Sequence, residues 1–536
     1  MEKLYNGVVL PDEWPPAKLP FRVDGNKILP EEPPYLVSPP AVIDVTVGRQ
    51  LFVDSFLIET SELPFAYHRA VKYGGNPVFK AEKPWEKPED GLHCACPLSG
   101  GIVYDRAENI YKMWYTAGWF GHLCYATSFD GIHWERPELD VVPGTNIVLP
   151  YESWRRTDDA WHPEFQCPDT TTVIVDPDSG PETKYKMLVR TPGMKLAGTV
   201  MTSPDGIHWG DFRPTGPTYD KSTIFYNPFR RKWVQSIRTI WDPREALGLV
   251  EKGKTVRTRS YHEASDFYEA AKWEDETKLK WMCADSLDLP DTDPYVHDFE
   301  PQLYNLDAVA YESIMLGMFQ RMLGPENNFT VETGTPKITE LIPIYSRDGW
   351  HWSRPNREAL IAPTRQAGSW ERGYVESVGG VCIVSDDEIR IYYAAFAGDP
   401  TRTLATTGGW DHTGAYANGA TGFAVLRRDG FVSLSAQKRT GKVLTRRLTF
   451  SEGEELYVNA EKSVLSVKIL SSDGQLLAGS GLQSIDATAA KIHFDSFDPA
   501  SLKGKTFRLC FELEKGELYA FWFAKDAAGS SGGFLP

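Results

Sequence analysis

Ser128-Phe-Asp-Gly-Ile-His-Trp134, Ser203-Pro-Asp-Gly-Ile-His-Trp209 and Ser346-Arg-Asp-Gly-Trp-His-Trp352 are three near-copies of one heptad. Two worn copies, Ser265-Asp-Phe leading to Trp273 and Arg428-Asp-Gly-Phe431, complete the series. Their aspartates, Asp130, Asp205, Asp266, Asp348 and Asp429, fall roughly 75, 61, 82 and 81 residues apart. A turn repeated at such intervals means one supersecondary unit used again. The unit is too long for a helical-repeat solenoid and suits a four-stranded propeller blade with insertions. Five copies predict five blades.

Around each heptad the same strands recur. Blade one reads Gly101-Ile-Val-Tyr-Asp105, Tyr111-Lys-Met-Trp-Tyr115 and Leu123-Cys-Tyr-Ala-Thr127; blade two repeats it from Thr172, Tyr185 and Gly198. Blades three, four and five open at Thr223-Ile-Phe-Tyr-Asn227, Ala308-Val-Ala-Tyr-Glu312 and Gly380-Val-Cys-Ile-Val384. Alternation with β-branched and aromatic residues between Asp-Gly or Asn-Pro turns is the strand signature. Asp266 to Trp273 reads as a turn plus strand. Residues 1–45, rich in Pro and acids, read as an extended arm. Residues 46–431 form the propeller, whose first strand signal is Gln50 to Ile58. From 432 to 536 short alternating strands with Gly and Ser read as a β-sandwich. The expected fold is therefore all-β, a five-bladed β-propeller followed by a C-terminal β-sandwich.

The heptad itself reads as structural. Asp-Gly supplies the tight turn, Ser and Asp can bond nearby backbone N–H groups, and Trp packs between blades. His133, His208 and His351 then sit on separate blades, too far apart to share a metal. The net charge of −16 argues against a nucleic-acid or anionic-membrane partner. No apolar run approaches the roughly 20 residues of a membrane span. The N-terminus has no basic-then-apolar signal segment, so the cytoplasm is the expected compartment. Seven scattered Cys show no disulfide framework, and Cys94-Ala-Cys96 lacks zinc-knuckle spacing. A homo-oligomer is compatible with all of this.

Innermost propeller strands converge on an axis, so chemistry belongs where their ends meet. Aligning the blades on their first strands finds an acid ahead of, or opening, nearly every one: Asp169, Asp220, Asp307 and Glu376, with Glu89 and Asp90 upstream in blade one as a less clear counterpart. Carboxyls crowded at one axis repel when ionised, which raises some pKa values and pairs a neutral acid with an ionised base. Glycoside hydrolysis uses that pairing. Trp85, Trp114, Trp161, Trp241 and Trp370 are candidates to stack on sugar faces. His93, His162, Arg238 and Glu312 are candidates to bond hydroxyls or tune the acids. The expected partner is an oligosaccharide or glycoside, with no metal or organic cofactor.

Three stretches carry a family resemblance. They are Leu51-Phe-Val-Asp-Ser-Phe-Leu-Ile-Glu59, Tyr111-Lys-Met-Trp-Tyr115 with Tyr125 to Pro137, and Leu426 to Leu434. The chain resembles bacterial proteins described as similar to the N-terminal domain of glycoside hydrolase family 32. The resemblance spans about residue 45 to the end and implies a five-bladed propeller of the invertase, levanase and arabinanase type. It implies a glycosidase acting on a fructofuranoside or arabinofuranoside. Family enzymes place a nucleophile or base in blade one, an auxiliary aspartate in blade two and an acid further round. Here blade one lacks Asn-Asp-Pro-Asn-Gly, blade two has Cys167-Pro-Asp169 in place of Arg-Asp-Pro, and blade three lacks Glu-Cys. A glycoside phosphorylase would need a basic cluster beside the acids, for which Arg155-Arg156 and Arg230-Arg231 are candidates. A sialidase fits less well, because Gly follows Asp directly in these turns and the cycles number five. A non-catalytic carbohydrate-binding or scaffold propeller is the remaining reading.

Overall fold

The computed structural model describes residues 1–536 except 90, 151–169, 192–196, 252–255, 297–298 and 410–411. Five antiparallel sheets follow one another along the chain. Blade one contains Ala95–Cys96, Ile102–Asp105, Ile110–Ala117, His122–Ser128 and Ile147–Leu149. Blade two runs Thr171–Val175, Tyr185–Thr191, Ala197–Ser203, Gly210–Pro217; blade three runs Thr223–Asn227, Lys232–Ile240, Arg257–Ala264, Leu279–Met282. Blade four has Gln302–Tyr311, Ile314–Gly324 and Ile338–Ser346. Blade five has Gly373–Ser377, Ile383–Val384, Glu388–Phe396 and Gly419–Arg427, and its outer strand is Val71–Lys72 from the start of the chain. That last pairing closes the ring, so the propeller presents no open first or last blade. The expected five-bladed propeller is the observed one.

Packing within the ring is close. Gly101 of blade one bridges Gly379 of blade five, and a Cβ at Gly101 would lie 2.6 Å from the carbonyl oxygen of Val173. Only glycine lets the blades approach this near the axis.

The heptads do what their chemistry dictates. Asp130 Oδ1 accepts the N–H groups of Ile132 and His133 at 2.8 Å, and Oδ2 meets His133 Nδ1 at 2.7 Å. Asp205 with His208 and Asp348 with His351 repeat the 2.7 Å contact. Gly131, Gly206 and Gly349 take φ of 72°, 79° and 86°, the left-handed region an Asp-Gly turn needs. The blade-one copy is exposed, with 48% of the Asp130 side chain in water, against 4% for Asp348. Asp348→Ala is therefore expected to cost about 2–3 kcal/mol, because two buried N–H groups lose their acceptor, and Asp130→Ala about 1 kcal/mol. Urea midpoints of the two variants check the ranking; equal losses would contradict it.

Three expectations need correction. The worn copy at Asp266 caps a short helix, Phe267–Ala270, instead of starting a strand, because its side chain accepts the N–H groups of Tyr268 and Glu269. Blade five begins earlier than Gly380, at Gly373–Ser377. The segment 46–67 belongs with the sandwich, not the propeller. Gln50–Leu51, Ile58–Ser61 and Phe65–Tyr67 pair with strands after residue 432, and Ile43–Asp44 pairs with Leu448–Thr449. Alternation marked a strand there without revealing whose edge it would meet.

The sandwich is an eleven-stranded sheet built on Glu455–Ser471 and Phe507–Ala524, which bend at register shifts and enclose a core of Phe52, Leu456, Val467, Phe511 and Phe521. Within the N-terminal arm, Phe21–Asp24 and Lys27–Pro30 form a hairpin. Among the described residues no helix is long and apolar enough to cross a membrane.

Candidate active site

At the axis the starts of the inner strands bring together residues from every blade. Blade one contributes Ser99, blade two Thr170, blade three Asp220 and Lys221, blade four Asn305 and Asp307, and blade five Glu376 and Ser377. The backbone is bent to do so: Ser99, Lys221 and Tyr374 take φ of 58°, 60° and 53°. Non-glycine residues persist in this region only where their surroundings over-determine them, and such residues cluster at functional sites.

Lys221 Nζ reaches both carboxyl oxygens of Glu376 at 2.9 Å, and the two side chains are 1% and 0% exposed. The Lys221 N–H donates to Thr170 Oγ1 at 2.9 Å, tying blade three to blade two. Ser99 Oγ lies 3.3 Å from Glu376 Oε1 and 3.4 Å from Asp307 Oδ2, so one hydroxyl stands between the two carboxyls. Asn305 Nδ2 donates to that hydroxyl at 2.7 Å and to Asp307 Oδ2 at 3.1 Å, and Ser377 Oγ donates to the same oxygen. Asp307 Oδ1 is buried with no hydrogen-bond partner among the described residues.

Burial, and then the charge of Glu376, push the Asp307 carboxyl up to about 7, against the pull of Ser377, Arg259 and Ser99. Near neutral pH the floor of the cup thus holds one half-protonated acid beside one carboxylate clamped by an ammonium. Toward the opening, Asp220 pairs with Arg238, and a quarter of the Asp220 side chain reaches solvent. Arg238 also lies over the Tyr219 ring, 5.4 Å from its centroid.

Of the residues singled out from the sequence, Asp220, Asp307, Glu376 and Arg238 gather here. His93 is exposed, and its carbonyl accepts the Asn418 N–H at 2.9 Å. Asp90, Asp169, Trp161, His162 and the Arg155-Arg156 pair lie outside the described residues.

Several others are elsewhere. Trp114 is fully buried between blades one and two, its Nε1 on the Gly206 carbonyl at 2.6 Å, so neither ring face is free for a sugar. Glu312 lies at the far ends of the inner strands of blade four, where its backbone pairs with Phe534 and its carboxylate meets Arg49 and Arg428. Its role is to join propeller, tail and sandwich. Trp370 stacks on Tyr393 at 5.5 Å against blade five. Trp85 donates to Asn146 at 3.0 Å, and Trp241 is covered by Phe21 of the arm. Arg230 is taken by Glu263 and Glu2, and the exposed Arg231 faces Asp178; neither stands at the axis.

Ser99, Lys221, Asn305 and Ser377 were not singled out from the sequence. Lys221, Asn305 and Ser377 stand one or two positions from Asp220, Asp307 and Glu376, whereas Ser99 is nine residues from Asp90.

No family model matches the chain, and no curated protein matches it. Among solved structures it is similar to an N-acetylgalactosamine deacetylase from F. plautii in complex with blood group B trisaccharide, at 14% identity and a TM-score of 0.40, over 72% of this chain and 96% of that one. It is similar to a glycosyl hydrolase from Bacteroides ovatus at 13% identity and a TM-score of 0.39, over 67% and 94%. A structure reported for the family 130 mannoside phosphorylases, said to contain glycoside hydrolases that target β-1,2 mannosidic linkages in Candida mannan, has 12% identity and a TM-score of 0.39, over 70% and 96%. Likenesses of this size decide neither architecture nor activity.

Proposed function

We propose that this chain is a glycosidase-type enzyme that opens a glycosidic bond in the axial cup. The observation that carries the reading is the pair of carboxyls, Asp307 and Glu376, set on neighbouring blades around one hydroxyl, with burial and the charge of Glu376 raising Asp307 to about 7. Asp307 is the proton donor: it keeps its proton close to neutral pH, and its Oδ1 has no hydrogen-bond partner among the described residues. Asp220, paired with Arg238 and partly open to solvent, is the carboxylate that attacks the anomeric carbon or activates water. Glu376 is a positioning residue, whose charge helps keep Asp307 protonated and whose own charge Lys221 balances. A fructofuranoside or arabinofuranoside is the substrate class that the family resemblance implies.

Asp307→Asn keeps the shape of the neutral acid and removes its proton; Asp220→Asn removes the attacking charge. Each is expected to reduce sugar release from a panel of fructosides and arabinosides by a factor of about 10²–10⁴ while far-UV circular dichroism stays unchanged. Full activity in both variants would defeat the proposal.

A second reading rests on one observation. Asp307 and Glu376 are only 2% and 0% exposed, which suits a propeller that binds a carbohydrate without cleaving it. Saturable sugar binding with no product after long incubation is the outcome that reading predicts.

A further inference from the structure

Three cations on the wall of the cup are not used by the chemistry above. Arg257 and Arg259 project from Arg257–Ala264 of blade three, and Lys337 precedes Ile338–Ser346 of blade four. All three are buried. Among the described residues none of their hydrogen bonds goes to a carboxylate. Arg259 donates to Ser236 Oγ at 2.9 Å, to the Lys221 carbonyl at 2.6 Å and to the Ser236 carbonyl. Lys337 Nζ donates to Asn327 Oδ1 at 2.9 Å and to the Tyr304 hydroxyl at 3.1 Å. Arg257 Nη1 donates to Gln302 Oε1 at 2.9 Å, its Nε has no partner among the described residues, and Glu326, half exposed, is 3.8 Å away.

Of the carboxylates at the axis, Glu376 pairs with Lys221 and Asp220 with Arg238, which leaves the half-exposed Glu326 as the acid beside Arg257. Buried charge is normally paired with opposite charge, because neutral dipoles replace only part of the lost hydration. Aromatic faces help Lys337, whose Nζ lies 4.8, 5.1 and 5.6 Å from the ring centres of Tyr304, Tyr374 and Tyr416. They supply no acceptor lone pair. Tyr304 registers the same excess of positive charge. Burial raises its phenol, yet Lys337, Lys221, Arg257 and Arg238 together bring it down to about 7.

We propose that the Tyr304 side of the cup, between Lys337 and Arg257, is an oxyanion subsite. It receives either a carboxylate carried on the sugar or an inorganic phosphate that enters with it. Two basic side chains on separate blades fit a multi-oxygen anion, which would also favour the charged form of Lys337 that burial opposes. The inference rests on the reading of the cup as a carbohydrate site, and it adds the charge of what the cup accepts.

Isothermal titration of the full chain with glucuronate, inorganic phosphate and glucose, at constant ionic strength, tests it. One anion at least is expected to bind tenfold or more tightly than glucose, and to lose at least tenfold in both Lys337→Met and Arg257→Gln. Glucuronate above phosphate assigns the subsite to the substrate; phosphate above glucuronate assigns it to a co-substrate. No anion preference over glucose, or wild-type anion affinity in either variant, overturns the proposal; should Lys337→Met not fold, Arg257→Gln decides alone. Asp307→Asn separates the two failures. It should bind the anion as wild type does while releasing no sugar, and full release from it would remove the catalytic reading without touching the subsite.

Discussion

Lys221→Met lowers the unfolding free energy by about 3–5 kcal/mol, Glu376→Gln costs a similar amount, and the double variant regains most of the loss. This follows from burial and geometry. Both carboxyl oxygens of Glu376 are 2.9 Å from one ammonium, and neither side chain has contact with bulk water worth counting. Removing the ammonium leaves the Glu376 carboxylate buried in the centre of the ring without that cation, and its charge already acts on Asp307 of the next blade. Removing the carboxylate takes from the buried Lys221 ammonium the acceptor of both its 2.9 Å contacts. Removing both takes away the cost together with the attraction, as replacing a buried pair by uncharged groups generally does. Thermal and urea midpoints of the four proteins form the cycle. Additive losses in the double variant would mean that the pair does not act as a unit, and the division of labour assigned to the floor of the cup would fail with it.

The five heptads were enough to read the ring from the sequence, because each turn depends on side chains only two or three residues from its aspartate. Asp130, Asp205 and Asp348 bond their own backbone in the same way wherever the blade lies. Ring closure was not legible. It depends on Val71–Lys72 pairing with Val425 and Ala424, some 350 residues later, and nothing in a dipeptide records its partner. The candidate site was legible by half. Asp220, Asp307 and Glu376 could be found because acids at strand starts are conspicuous. Lys221 could not be weighed in the same way, since a lysine beside an aspartate reads as surface charge until the fold carries it across the axis to Glu376. Trp114 misled for the opposite reason: an aromatic near a funnel suggests a sugar platform, and only the packing of blade two over it shows both faces occupied.

The proton on Asp307 makes a second large effect measurable. A folded-state value of about 7, against an ordinary 3.8, means that the native protein holds a proton which the unfolded chain releases from about pH 4 upward. The native state binds more protons across that window, so this group's contribution to stability falls as pH rises from about 4 to 7 and is level above. The total is on the order of 4 kcal/mol. Carboxyls held low, such as Asp205, Asp288 and Asp429, act with the opposite sign and mostly below this window. Asp307→Asn carries the neutral shape at every pH. Its stability should therefore match wild type near pH 4 and exceed it progressively toward pH 8, by up to a few kcal/mol, when urea unfolding is run as a pH series on both proteins. Burial is the leading cause of the shift and Glu376 the next raising one, so the Lys221→Met/Glu376→Gln background should keep most of the window and narrow it from the high-pH side. A stability difference that does not change between pH 4 and 8 would show that Asp307 is ionised throughout. It would then have no proton to give to a leaving oxygen, and the acid role would pass to another residue of the cup.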